Sequence, residues 1–171
     1  MTLPEIHGRP ILIQFQPDLR VHHGKLVTSG GSEVHAASCV RRREMVLDGT
    51  LRRRPRELRR IFMHELFHFA WPRLGNPKRR SYEDLLESEI QRRVRGELGW
   101  SAQMRKKALG PDDPRIRTRH WREYVCESFC DTAAWLFAGL PRHVEFTLPD
   151  RARRRRRDWF EKQGLTRRIA V

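Results

Sequence analysis

The chain has 171 residues, 38% hydrophobic and 33% charged, and 36 Lys and Arg against 21 Asp and Glu give a net charge of +15. One domain of that length buries roughly 70% of its unfolded surface, so it needs no disulfide scaffold, and no apolar run approaches the roughly 18 residues of a membrane span. Met1 to Pro10 carries no apolar stretch behind a basic one, so no secretory signal is expected; three cysteines without a CxxC pair suit reduced thiols in a cytoplasmic compartment.

The first fifty residues read as strands and turns. Ile11, Ile13 and Phe15 alternate with Leu12 and Gln14 between Pro10 and Pro17. Gly24 and the pair Gly30-Gly31 mark turns. Val34, Ala36, Ser38 and Val40 alternate again, and Met45-Val46-Leu47 forms a third run ending at Asp48-Gly49. These short strands predict one small sheet.

From Pro55 the period lengthens. Leu58, Ile61, Phe62, Leu66 and Phe69 recur at three- and four-residue steps, which predicts a helix from Pro55 to a stop at Trp71-Pro72. Ser81-Tyr82-Glu83-Asp84 has the form of a capping box and predicts a second helix running to about Gly99. A shorter piece spans Ser101 to Leu109, and a long helix from about His120 to Ala138 closes at Gly139 and Pro141. Asp150 caps a last basic helix, 150–164. The fold class is therefore α+β: a small N-terminal sheet, then helices, in one domain over residues 1–171.

The first long helix contains His64-Glu65-Leu66-Phe67-His68, the pattern HExxH. Four residues advance a helix by about 400°, so the two imidazoles share one face about 6 Å apart along the axis, within reach of one ion. Zinc fits, with Zn–N bonds near 2 Å. Glu65, turned about 100° away, misses the ion but reaches a water beside it, which makes it the candidate general base.

A catalytic zinc needs a third protein ligand and an open fourth position. The later helix offers Glu127 and Asp131, four apart on one face of the apolar stretch from Tyr124 to Leu140. An unpartnered carboxylate there is costly, whereas a metal is one partner and a metal-bound imidazole another. Glu127 as ligand and Asp131 as support for a histidine make one consistent set. Tyr124 and His120, three and seven residues before Glu127, are candidate donors to an oxyanion.

HExxH followed by ExxxD on a later helix resembles the gluzincin metallopeptidases, which include thermolysin and the HtpX-like proteases. The resemblance covers roughly Arg54 to Trp71 and His120 to Leu140. It implies a zincin-like fold, zinc held by His64, His68 and Glu127, Glu65 as general base, and Asp131 behind one histidine. The order of strands, HExxH and a Glu-bearing apolar helix ending near Pro141 is also similar to soluble ImmA/IrrE-like proteins. Cys126 stands where thermolysin-like sequences have Asn, and Phe67 where ImmA/IrrE-like ones usually have Gly. HtpX-like proteases are membrane-bound, whereas no span is expected here.

The expected function is hydrolysis of peptide bonds in a peptide or protein substrate. The alternatives are a protease acting on nucleic-acid-bound protein, for which the basic surface speaks, and a non-catalytic zinc-containing regulatory or binding module, against which Glu65 speaks because it ligates nothing. The arginines are scattered from Arg41 to Arg168, so contact with nucleic acid is expected to be weak, sequence-independent and salt-sensitive. Arg153 to Arg157 would encircle a helix as a solvated run. Cys126 and Cys130 read as small half-buried side chains, and His7, His22, His23, His35 and His143 as solvated or turn residues. The run Met45 to Leu47 is a candidate edge for strand addition by substrate.

Overall fold

The computed structural model describes residues 2–22, 25–27 and 30–171, so the expected turn at Gly24 and His23 lie outside the described residues. The N-terminal part contains β1 (Glu5–His7), β2 (Leu12–Gln16), β3 (Arg20–His22), β4 (Lys25–Val27), β5 (Ser32–Glu33), β6 (Ala36–Cys39) and β7 (Glu44–Asp48). Then follow a 3-10 turn at Gly49–Arg53, α1 (Pro55–Ala70), a second 3-10 turn at Trp71–Arg73, α2 (Gly75–Gln91), α3 (Trp100–Lys107), α4 (Asp113–Ile116), α5 (Arg119–Phe137), α6 (Asp150–Lys162) and β8 (Arg168–Ala170). The class is α+β.

The expected single sheet is instead three small ones. β7 is the middle strand of the sheet β2-β7-β6, parallel to β2 and antiparallel to β6. Met45 to Asp48 are buried as a continuous run, as a central strand covered on both faces requires. β3 pairs with β4 and β5 in a separate hairpin-like sheet. β1 pairs in parallel with β8, matching Ile6 to Ile169, so the two ends of the chain are joined. No local sequence pattern announces that pairing, because its strands are three residues each and far apart.

α1 and α5 pack against each other, with the β2-β7-β6 sheet on one side of α1. α1 begins with Pro at its first turn, where no N–H is needed. α5 begins where the Thr118 hydroxyl accepts the Trp121 N–H and ends before Gly139, whose φ of 68° is left-handed. Behind them lies an aromatic cluster. Phe67 stacks on Phe137 at 5.4 Å, and Phe129 stacks on Phe160 at 5.0 Å, with Tyr82 and Trp159 edge-on or tilted around them. Burying a side chain of that size stabilises by about 1.5–3 kcal/mol. Position 67 therefore has a packing reason to be Phe: it faces away from the histidines and ties α1 to α5 and α6.

Two helices differ in their boundaries from expectation. α2 starts at Gly75 rather than Ser81, whose hydroxyl donates to the Lys78 carbonyl from inside the helix and caps nothing. It stops at Gln91, and Arg93 turns the chain with φ 54°, well before Gly99. α6 runs Asp150–Lys162; Asp150 is its first helical residue, and Pro149 occupies the cap position without a side-chain bond. Among the described residues no helix is long and apolar enough to cross a membrane.

Candidate metal centre

α1 and α5 bring His64, His68, Glu127 and Asp131 together. His64 Nε2 lies 3.2 Å from Glu127 Oε2 and 3.2 Å from His68 Nε2, and His68 Nε2 lies 3.9 Å from Glu127 Oε2. Donors bound tetrahedrally to zinc at 2.0–2.1 Å would be separated by about 3.3 Å, so the three atoms stand close to the edges of such a tetrahedron. Glu65 also offers a carboxylate oxygen within 4.8 Å of the nitrogens of both histidines. The residues fit a zinc ion.

The tutoring of each ring supports that fit. His64 Nδ1 is 2.7 Å from Asp131 Oδ1, so with Nδ1–H donating there, Nε2 presents a lone pair to the site. That lone pair meets a carboxylate oxygen, an unfavourable contact unless a proton or a cation lies between them. Burial opposes charge on His64, but Asp131 and then Glu127 outweigh it and raise its pKa well above the ordinary value. For His68 burial again opposes, yet the contact with Cys126, 3.6 Å from Nδ1, pushes the ring up to about 9. Burial would raise the Glu127 carboxyl, but His64, His68 and Arg105 outweigh it and hold it at about 2. The cluster thus draws positive charge onto its rings, as a cation site does.

Three supporting residues carried no signal in the sequence. The second oxygen of Asp131 accepts the Ala102 N–H at 3.0 Å, so this buried carboxylate serves both His64 and the first turn of α3. Gly99 lies directly against it: a Cβ there would sit 2.2 Å from the Asp131 carboxylate. Its extended backbone suits any residue, and only the close approach requires glycine. Arg105 of α3 reaches within 3.4 Å of Glu127 Oε1. All three depend on how α3 docks on α5, a tertiary contact with no local periodicity.

The structure does not bring Tyr124 or His120 to the centre. Tyr124 is fully buried and donates its hydroxyl to Glu97 at 2.7 Å. His120 is exposed on the first turn of α5, beside Asp113. Shared helical spacing placed both near Glu127 in angle, but a rise of about 1.5 Å per residue sets His120 about 10 Å away along the axis, and the Tyr124 hydroxyl is taken by Glu97. Of the other histidines, His143 is not a solvated one: its Nε2 meets Glu57 at 2.6 Å, beside the buried Arg60 that pairs Glu57 and Glu145.

A cleft of about 370 Å³ opens onto the centre, lined by Val34, Ala36, Ile61, His64, Glu65 and Trp100 among others. The expected role of Met45 to Leu47 as a free edge does not hold, since β7 is paired on both sides. The edge of that sheet next to α1 is β6, and Ser38 of β6 donates to the Glu65 carbonyl at 3.2 Å. No family model, no curated protein and no solved structure matches the chain.

Proposed function

We propose that the chain is a zinc-dependent metallopeptidase with a zincin-like, gluzincin-type centre. The observation that carries this reading is the convergence of His64 Nε2, His68 Nε2 and Glu127 Oε2 at 3.2, 3.2 and 3.9 Å, with the Glu65 carboxylate alongside. When bound, zinc supplies a Lewis acid and brings the pKa of its water toward about 7. Asp131 fixes the tautomer of His64, and Cys126 meets the outer nitrogen of His68, so both rings aim Nε2 inward. Glu65 accepts a proton from water in the cleft and passes it to the leaving amine. Arg105 pairs with the outer oxygen of Glu127 and so holds that carboxylate ionised beside the histidines. A cleft beside a strand edge suits an extended peptide laid along β6.

The alternative of a protease directed to nucleic-acid-bound protein rests on the net charge of +15, to which the arginine run on α6 offers less free surface than its length suggests. Arg153 bonds the Phe146 and Leu148 carbonyls, Arg155 the Ser88 hydroxyl, and Arg156 is fully buried, while Arg157 lies over the Trp135 ring.

Zinc analysis combined with a peptide-library assay tests the proposal. The purified protein should hold about one zinc per chain and cleave peptides. Glu65→Gln should keep the zinc and lose at least about 100-fold in hydrolysis, the usual worth of a positioned base. Loss of zinc in that variant, or cleavage at the wild-type rate, would refute the role given to Glu65.

A further inference from the structure

His68 turns its two ring nitrogens to two different groups. Nε2 faces His64 and Glu127, whereas Nδ1 faces Cys126 Sγ at 3.6 Å. Cys126 and Cys130 are four apart on α5 and therefore share one face of the helix. The sulfurs and a His68 nitrogen all lie within 4.8 Å of one another. Bonds of about 2.3 Å to sulfur and about 2.0–2.1 Å to nitrogen hold donors about 3.6–4.0 Å apart around one ion, so small side-chain movements close the set. Cys130 is fully buried and Cys126 half-buried, which leaves an approach from the Cys126 side.

We propose that His68 Nδ1, Cys126 and Cys130 form a second metal site, for a soft closed-shell ion such as copper(I) or cadmium(II). The donor set decides the class. Two thiolates and an imidazole take thiophilic closed-shell ions, zinc among them, whereas the His, His and carboxylate set on the other side of the ring suits zinc and gives copper(I) or cadmium(II) no sulfur. Binding displaces the two thiol protons and the proton on Nδ1, which pass to solvent. The proposal stands apart from peptide hydrolysis, because it concerns the opposite nitrogen of the ring and is read without turnover.

Cadmium(II) titration of the metal-free protein in a Cys39→Ser background tests it, since only Cys126 and Cys130 then remain to give a sulfur-to-cadmium charge-transfer band. The band should appear and saturate at two sulfurs per cadmium. It should vanish in Cys126→Ser and persist in His64→Ala, which lacks a ligand of the first centre. X-ray absorption of the cadmium-loaded protein should show two sulfur neighbours and does not depend on how the Ser variant folds. No band, a band that survives Cys126→Ser, or a shell of oxygen and nitrogen alone overturns the site. Loss of the band in His64→Ala would mean one mixed centre and also overturns it. Failure of the zinc centre alone would instead leave the band intact while His64→Ala made no difference to zinc content.

Discussion

Helix α5 carries buried polar groups towards two neighbours, and the two sets differ in how their atoms are matched. Towards α6 stands Arg156. Its Nη1 meets Glu97 at 2.7 Å and Thr132 at 3.4 Å, its Nη2 meets Glu89 at 2.7 Å and Glu97 at 3.1 Å, and its Nε meets Glu89 at 3.2 Å. Lys106 and Tyr124 also donate to Glu97, both to the Oε1 that Arg156 Nη2 meets, at 3.0 and 2.7 Å. Donors face acceptors throughout, and two cations offset two carboxylates. Towards α1 stand Glu127 and Asp131. There His64 Nε2 presents its lone pair to Glu127 Oε2, and two imidazole Nε2 atoms face each other at 3.2 Å. Acceptors converge on a point. A saturated buried network holds a fold together; convergent acceptors need a cation to complete them. Burial and charge alone do not separate the two, since both sets are out of water.

The largest expected effect breaks the saturated side. Arg156→Met removes the shared partner of Glu89 and Glu97, both fully buried, and leaves Glu89 without its cation and Glu97 with Lys106 alone. Urea unfolding should show a loss of about 3–5 kcal/mol. The folded fraction should still bind zinc, because the metal ligands lie on the other side of α5. A loss below about 1 kcal/mol would mean that the network is relaxed or hydrated.

On the convergent side the cation itself is the lever. Zinc at 100 times its dissociation constant should stabilise the fold by about 2.7 kcal/mol, read as a rise in Tm over the chelated protein. The gain depends on pH with a defined sign. In the metal-free protein His68 titrates at about 9, against about 6.5 when unfolded. The stability from its protonated form is fully present below about 6.5 and is lost as pH rises through about 9. Zinc displaces that proton, so the Tm gain should grow from pH 6.5 to 9. Glu127, held at about 2, contributes above its unfolded value of about 4.5 and loses that only as pH falls through about 2, outside this window. A gain that shrinks as the pH rises would place the metal away from the histidines.

Gly99→Ala tests the support behind the ligands. The added Cβ would fall 2.2 Å from the Asp131 carboxylate, which is tied to His64 and Ala102 and has no free path to retreat. The expected cost is about 1–3 kcal/mol in stability. Zinc affinity should fall about 10–100-fold, as for other changes behind a metal-bound imidazole. Unchanged affinity would show that His64 is oriented without Asp131.

What could be read beforehand followed the range of each signal. α1 and α5 were legible because apolar residues repeat along them, and HExxH and ExxxD lie inside those periods, so four of the convergent residues were visible as spacing on a helix face. The single sheet was wrong because strand pairing over long separations, such as β1 with β8, leaves no local trace. Ser81 misled because a capping motif specifies a side-chain pattern, while Gly75 and the turn at Trp71–Arg73 decide where α2 begins. Tyr124 was assigned to the centre by angle alone, whereas the partner that claims its hydroxyl, Glu97, lies in a loop between α2 and α3. Gly99, Arg105 and the buried role of Arg156 belong to the docking of one helix on another. No run of residues encodes them.

The smallest expected effect sharpens the comparison within one stretch of sequence. Arg154 and Arg156 belong to the same run of arginines, and composition treats them alike. α6 separates them by about 200° of rotation, so Arg154 points to solvent while Arg156 enters the network. An exposed residue away from caps, cavities and buried pairs usually changes stability by less than about 0.5 kcal/mol. Arg154→Ala should therefore leave Tm and zinc content unchanged, against the several kcal/mol expected for Arg156→Met. Weak, salt-sensitive attraction to nucleic acid should decline only slightly, since one charge of a net +15 is removed. A large loss of stability in Arg154→Ala would mean that the run acts as a unit, and that saturation does not distinguish one arginine from its neighbour.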